Sequence, residues 1–282
     1  MIIDGKIIAE NIKSELKKDI LDLKQKGIVP GLTVIMVGND NASEIYVGKK
    51  EKICKEIGIY SEKYLLPEST SQSELEDLIE TLNKKSDING ILVQLPLPKH
   101  IDEFSINSKI IPEKDVDVFN PINIGKLFLN KSKLLPCTPA GIIEMLRYHK
   151  IKIEGRNCVV IGRSNIVGKP MSILLTQHSG TVTLCHSKTK NLKEYCQNAD
   201  IVVCSVGKPR ILTADMIKKD AVIIDVGINR GKNGNLCGDT DFENLKDKAS
   251  YITPVPGGVG PMTIVMLAKN TIMATQIQNK LI

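Results

Sequence analysis

Tryptophan is absent from this 282-residue chain, and phenylalanine occurs only four times. With so few flat side chains there is little from which to build the stacking platforms that hold nucleic-acid bases. The core must be packed with Ile, Leu and Val. Any apolar run of membrane-spanning length is missing too, and Asp4 and Lys6 enter the N-terminus almost at once, so neither a secretory signal nor a transmembrane helix is expected. Cysteine is present, but not as a C-x-x-C pair. The seven (Cys54, Cys137, Cys158, Cys185, Cys196, Cys204 and Cys237) are odd in number, and several lie in apolar strand-like runs, which reads as reduced core thiols of a cytosolic protein. The four histidines, His100, His149, His178 and His186, lack metal-ligand spacing, and no metal site is expected. The net charge of +6 is mild and its lysines are spread along helical faces, unlike a nucleic-acid footprint but compatible with small anionic ligands.

What is present is an ordinary globular composition, 42% hydrophobic and 25% charged, in a chain long enough for two α/β domains. Helical and extended patterns alternate. A helix over Lys6–Lys26 ends at Gly27, a buried strand follows at Leu32–Val37, and a helix over Ala42–Ile57 stops at Gly58. A strand at Tyr60–Leu65, a helix at Ser73–Lys84 capped by Ser71 or Ser73, and a strand at Gly90–Val93 continue the series. After a less regular stretch from Pro112 to Pro139, a second series has strands at Cys158–Ile161, Val182–Leu184, Ile201–Cys204 and Ala221–Ile224. Repeated β-α-β implies parallel sheets covered by helices, hence two α/β units.

Two rigid segments stand out. Pro254-Val255-Pro256-Gly257-Gly258-Val259-Gly260-Pro261-Met262-Thr263 restricts the backbone to one path ahead of a helical stretch at Ile264–Ile277; by composition it is either a rigid interdomain turn or a ligand-contacting loop. Gln94-Leu95-Pro96-Leu97-Pro98 places a polar side chain where a buried strand ends and a Pro-rich path begins.

The second unit carries a nucleotide signal. Strand Val159–Ile161 runs into Gly162-Arg163-Ser164-Asn165-Ile166-Val167-Gly168 and then a helix, an arrangement that presents backbone N–H groups to a pyrophosphate. Ser164 stands at the second glycine position of G-x-G-x-x-G, and the last glycine comes one residue late. The next strand ends in Cys185-His186-Ser187-Lys188, without the carboxylate an NAD site places there, while Arg163, Ser187 and Lys188 suit a 2′-phosphate and point to NADP. Ile224-Asp225-Val226-Gly227-Ile228-Asn229 closes another parallel strand. In the first unit, Ser43, Tyr46 and Lys50 share one helix face at i, i+3 and i+7, either as surface neighbours or as a catalytic face. Lys114-Asp115-Val116-Asp117 offers two acids on one side of an extended segment, for a salt-bridged loop, a helix cap or a ligand.

In combination, Tyr46-x-x-x-Lys50, Gly90-Ile91-Leu92-Val93-Gln94-Leu95-Pro96, Lys114-Asp115-Val116-Asp117, Pro136-Cys137-Thr138-Pro139, Gly162-Arg163-Ser164 and the Pro256–Thr263 loop closely resemble, in order and over essentially the whole chain, the bifunctional methylenetetrahydrofolate dehydrogenase/methenyltetrahydrofolate cyclohydrolase family. The chain departs from the family's pattern at Val118, where Gly is usual after the second Asp. The resemblance implies two α/β domains with a cleft between them: a folate-binding catalytic domain over residues 1–137, joined by the returning helix 261–282, and a Rossmann-like NADP-binding domain over 138–260. It implies NADP-dependent oxidation of 5,10-methylenetetrahydrofolate to the methenyl cation and hydrolysis of that cation to 10-formyltetrahydrofolate, in a cytoplasmic homodimer serving one-carbon metabolism without nucleic-acid or membrane partners. It further implies that Tyr46 stacks on the folate, Lys50 is the key hydrolytic group, Gln94 orients Lys50, and Asp117 binds the pterin. Gly162, Arg163, Ser164, Ser187 and Ile228 are then the coenzyme contacts, and Pro256, Gly257 and Gly258 join Tyr46 and Asp117 at the substrate. The alternatives are a dehydrogenase-dominant member with weak cyclohydrolase activity, a different NADP-linked dehydrogenase on a similar scaffold, and a non-catalytic nucleotide sensor.

Overall fold

The computed structural model describes residues 1–231 and 234–282 and, at 41 and 42, the backbone alone. Helix α1 (Gly5–Gln25) repeats Ile8, Ile12, Leu16, Ile20 and Leu23 on one buried face and stops before Gly27, whose φ of 74° ends the helical path. Strand β1 (Gly31–Val37) is buried along its whole length because it is central, pairing in parallel with β2 (Tyr60–Leu66) on one side and β3 (Gly90–Val93) on the other. The two crossovers are helical. Helix α2 (Asn41–Ile57) starts at Asp40, whose carboxylate accepts from Ser43 N at 2.7 Å, and α3 (Gln72–Lys84) starts with a capping box between Ser71 and Glu74. Leu75, Ile79 and Leu82 of α3 pack with Ile35, Val37, Ile91 and Val93 of the strands.

The stretch expected to be less regular is more ordered than its composition suggested. After α4 (Glu103–Lys109) it holds α5 (Pro121–Phe128) entire and the start of α6 (Cys137–Tyr148). A helix of eight residues is too short to display a period, but its local signals are plain: Asn120 accepts from Ile122 N at 2.8 Å, and Pro121 occupies the first turn.

The second sheet contains β4 (Asn157–Ile161), β5 (Thr181–Cys185), β6 (Ile201–Cys204), β7 (Val222–Asp225) and β10 (Tyr251–Ile252), all parallel, in the order β10-β7-β6-β4-β5. Helices α7 (Gly168–Gln177) and α8 (Leu192–Gln197) lie between its first three strands in sequence, and α9 (Phe242–Leu245) precedes β10. The hairpin of β8 (Asn229–Arg230) and β9 (Leu236–Cys237) stands outside the sheet. Strand order reverses at β4, which has β5 on one side and β6 on the other, and that reversal is where open parallel sheets receive ligands. Helix α10 (Val259–Gln278) begins five residues before the expected Ile264, with Pro261 in its first turn where no N–H is required.

The chain divides into two compact units, Asn11–Cys137 with Ile264–Ile282, and Met1–Glu10 with Thr138–Thr263. Residues 1–10 group with the second unit because Ile3 N donates to Ile252 O at 2.8 Å and Ile252 N to Met1 O at 3.0 Å, extending the second sheet past β10. All three boundaries fall inside a helix: α1 between Glu10 and Asn11, α6 between Cys137 and Thr138, and α10 between Thr263 and Ile264.

Candidate active site and coenzyme turn

Lys50 lies near the middle of α2 on the face that packs inward and is only 7% exposed. Its Nζ donates to Gln94 Oε1 at 2.8 Å. Gln94 follows β3 directly, its N bonded to Ile35 O at 2.8 Å, and its own amide nitrogen donates to Leu95 O at 2.8 Å, which turns the amide oxygen toward the lysine. Peptide bonds Leu95–Pro96 and Val255–Pro256 are cis. Burial pulls the Lys50 ammonium below the ordinary lysine pKa, and the nearby Asp117 carboxylate opposes this. No carboxylate pairs directly with the ammonium among the described residues. Burial raises the Cys137 thiol well above its usual pKa, with Asp117 adding to the effect, and pushes Cys54 up to about 12, so both sulfurs stay protonated. Tyr46, one turn before Lys50, is half-buried, and burial raises its hydroxyl pKa. Lys49 places its Nζ 5.6 Å from the centroid of the Tyr46 ring. Ser43, the third member of that face, is buried in the first turn of the helix.

The two acids of Lys114-Asp115-Val116-Asp117 have separate surroundings. Asp117 is half-buried, whereas Asp115 is 2% exposed and accepts from Phe119 N (3.0 Å), Asn120 N (2.9 Å) and Asn123 Nδ2 (2.9 Å). Burial raises the pKa of Asp115 and those three donors oppose the rise. Asp115 therefore organises a turn, and within that turn Val118 is fully buried at φ 64°, a conformation that favours glycine. A residue that sequence reasoning passed over ties α10 to this segment: Asn270 donates to Val116 O and Leu135 O, both at 2.8 Å, and its Nδ2 lies 3.6 Å from Cys137 Sγ. Its only signal was an amide in a largely apolar helix.

In the other unit Gly162, Ser187 and Ile228 follow β4, β5 and β7, so all three lie at the carboxyl edge of one parallel sheet. Gly162 has φ 120°, and a Cβ there would run into the backbone and hydroxyl of Ser205. Gly168 is equally confined, against the Gly162 carbonyl, which is why a glycine is needed one place later than in the common fingerprint. Ser164 Oγ accepts from Val167 N (3.2 Å) and Gly168 N (3.3 Å), opening α7. Among the described residues, the amides of Arg163, Ser164, Asn165 and Ile166 donate to no protein acceptor. Unpartnered N–H groups just ahead of a helix fit a dinucleotide's diphosphate. Arg163, Ser187 and Lys188 are exposed, and Ile228 is half-exposed. Pro256, Gly257 and Gly258 belong to this same unit, not to that of Tyr46 and Asp117; Gly257 has φ 108°, and its carbonyl accepts from Gly5 N at 2.9 Å.

A buried lysine–amide pair on one parallel α/β unit and a glycine turn at the switch point of a second define an enzyme with a nucleotide-binding half. Residues 3–117 match the family model for the tetrahydrofolate dehydrogenase/cyclohydrolase catalytic domain, and residues 136–279 match the model for the NAD(P)-binding domain of the same enzymes. The "Bifunctional protein FolD" of Acetivibrio thermocellus is 55% identical over 280 residues, covering 99% of this chain and 98% of that one. Among solved structures, the bifunctional methylenetetrahydrofolate dehydrogenase/cyclohydrolase of Campylobacter jejuni superposes with a TM-score of 0.97 at 48% identity, covering 99% of both chains. The Trypanosoma brucei enzyme, solved with NADP cofactor and inhibitor, gives 0.95 at 37% identity, covering 99% of this chain and 98% of that one. The chain belongs to the tetrahydrofolate dehydrogenase/cyclohydrolase family.

Proposed function

We propose that this chain oxidises 5,10-methylenetetrahydrofolate to 5,10-methenyltetrahydrofolate with NADP and hydrolyses the product to 10-formyltetrahydrofolate. The observation that carries the reading is the Lys50–Gln94 pair: an amine held by a neutral amide at 2.8 Å in a setting that favours its uncharged form. NADP, when bound by the turn at Gly162–Ser164 with Ser187 and Ile228, would supply the hydride acceptor for the methylene carbon. Loss of that hydride leaves a cation shared by two folate nitrogens, so the first step asks the protein for placement more than for a base. In our reading Tyr46 stacks on the folate and Asp117 accepts from the pterin's amino and ring N–H groups, fixing the plane presented for transfer. Hydrolysis needs a water that loses a proton as its oxygen joins the cationic carbon. Neutral Lys50 takes that proton, Gln94 holds the amine in line, and as a C–N bond of the five-membered ring breaks the adduct's hydroxyl proton passes to the departing nitrogen, leaving the formyl group on the other.

Gly162, Arg163, Ser164, Ser187 and Ile228 are assigned to the coenzyme, with Arg163 and Ser187 on a 2′-phosphate, and Pro256–Gly258 to the substrate. We assign folate to residues 1–137 with 261–282 and coenzyme to 138–260, in a cytoplasmic homodimer that size-exclusion chromatography with light scattering would test.

The function is tested by incubating the protein with methylenetetrahydrofolate and either coenzyme while following the methenyl intermediate spectrophotometrically. Appearance and decay of that intermediate are expected with NADP; absence of turnover would leave only nucleotide binding. Replacing Arg163 by Ala is expected to weaken NADP by about 1.5–3 kcal/mol relative to NAD, the value of a charged hydrogen bond. Equal losses with both coenzymes would remove Arg163 from the 2′-phosphate.

A further inference from the structure

Asp239 is a residue to which no motif pointed. It has no exposed surface, and its carboxylate accepts four hydrogen bonds. Val206 N (2.5 Å) and Gly207 N (3.0 Å) donate to one oxygen, and Lys208 N (2.9 Å) and Asn229 Nδ2 (2.8 Å) to the other. Three successive backbone amides thus enclose one internal anion, as a nest encloses a phosphate. The backbone of Asp239 is held in turn by a second buried acid. Asp225, the last residue of β7, accepts from Asp239 N (2.9 Å), Gly227 N (2.9 Å), Thr240 N (2.8 Å) and Thr240 Oγ1 (2.7 Å). Among the described residues neither carboxylate pairs with a cation, so their charge is met by oriented N–H and O–H groups.

These two acids link the loops that follow β6 and β7, and through Ser205 the first of these touches the turn after β4. Gly227 and Asn229, on either side of Ile228, are tied to Asp225 and Asp239 respectively, and a Cβ at Gly227 would collide with the Asp239 carboxylate. Val206–Lys208, the loop after β6, is gathered by Asp239 alone. Its neighbour Ser205 bonds Ile161 O through N at 2.8 Å and sits where a Cβ on Gly162 would have to go. One connected chain, Asp225–Asp239–Val206–Ser205–Gly162, buried at its two acids and half-buried at Val206 and Ser205, therefore runs along the sheet's carboxyl edge, from the loop carrying Ile228 to the turn assigned to the diphosphate.

We propose that Asp239, itself set by Asp225, is a positioning residue for the coenzyme, holding the loops after β4, β6 and β7 in the register that receives the dinucleotide. This rests on the coenzyme site assigned above. Asn is the sharp substitution: whichever way its amide is turned, an NH2 group faces two N–H donors. Asn229→Ala removes one donor and leaves the acid in place.

The test is titration of NADPH by fluorescence into wild type, Asp239→Asn and Asn229→Ala, together with KM for methylenetetrahydrofolate and thermal unfolding of each. Loss of charged hydrogen bonds predicts NADPH affinity weakened roughly 10-fold or more for Asp239→Asn and several-fold for Asn229→Ala, with folate KM changed less than about twofold. A variant that is folded yet binds NADPH like wild type, or in which both constants rise together, overturns the proposal. Should Asp239→Asn fail to fold, Asn229→Ala decides by the same criterion. Wild type that fails to bind NADPH overturns the coenzyme assignment itself, an outcome distinct from equal binding by all three proteins.

Discussion

The folate unit and the nucleotide unit are both parallel α/β structures, yet they set up their chemistry in opposite ways. In our reading the functional groups of the first are side chains made reactive by burial: Lys50, almost wholly enclosed and steadied by one amide. In the second they are backbone N–H groups, and the side chains that matter are those whose absence, at Gly162 and Gly168, lets the main chain come close. A substitution at the first site should therefore alter reactivity with little change of shape, and one at the second should alter shape.

The strongest test of that contrast is Lys50→Met. Cyclohydrolase activity is expected to fall at least ~10²-fold, the usual loss for a general base, with methenyltetrahydrofolate accumulating while part of the dehydrogenase rate survives. Parallel loss of both rates, measured separately on folded protein, would make Lys50 a binding residue and erase the distinction.

Gly162→Ala probes the other half. With φ at 120° and Ser205 in the way, about 1–3 kcal/mol of strain is expected, read as a lower melting temperature accompanied by weaker NADP binding. Undiminished coenzyme affinity would mean that the turn tolerates a side chain and does not approach the diphosphate closely.

Acidity sharpens the comparison from the stability side. Because burial depresses the Lys50 pKa, the folded state binds fewer protons than the unfolded chain between the depressed value and the ordinary lysine value. This contribution to stability is present above the ordinary value and is lost as pH falls through the depressed one, so at neutral pH the buried amine is a burden. Lys50→Met should therefore melt higher than wild type near pH 7, with the gap narrowing as pH rises toward 10. Chemical denaturation at several pH values would show it; a constant gap would mean that the amine is not perturbed in the native state.

The smallest effect is expected at Val118→Gly. Releasing the left-handed strain gains about 1–2 kcal/mol, while emptying a fully buried valine costs about 1.5–3 kcal/mol, leaving a net loss of roughly 1 kcal/mol. Folate KM should stay near wild type because Asp115 still grips both sides of the turn. A large change in KM would show that Val118 itself sets the position of Asp117.

These contrasts also explain what was legible beforehand. Strands with continuous Ile/Val runs, such as Gly90–Val93 and Ile201–Cys204, coincide with their elements, since burial on both faces leaves a clear mark in composition. The two-residue strands β8, β9 and β10 left none, being too short to show alternation and defined only by their pairing, with each other for β8 and β9 and with β7 for β10. Lys50 and Gln94 stood out by family resemblance, but their 2.8 Å contact joins residues 44 apart, and periodicity on α2 could not distinguish a buried lysine from a solvated one. Asp115 and Asp117 looked alike in sequence; only the donors at Phe119, Asn120 and Asn123 make one a turn organiser and leave the other half-exposed. Asp239 had no signal, because its partners come from three separate segments.

Helix α10 bears on how the polypeptide matures during synthesis. Its Asn270 satisfies Val116 O, a residue made 154 positions earlier, and Gln278 reaches Asn89 O across 189. The sheet core around Ile35 and Ile91 thus emerges from the ribosome long before the helix that caps its carbonyls, and the growing chain must carry an unfinished domain through translation of the whole nucleotide unit. Contacts of such sequence separation slow folding and lengthen exposure of apolar surface, so nascent chains arrested before α10 are the species expected to recruit chaperones.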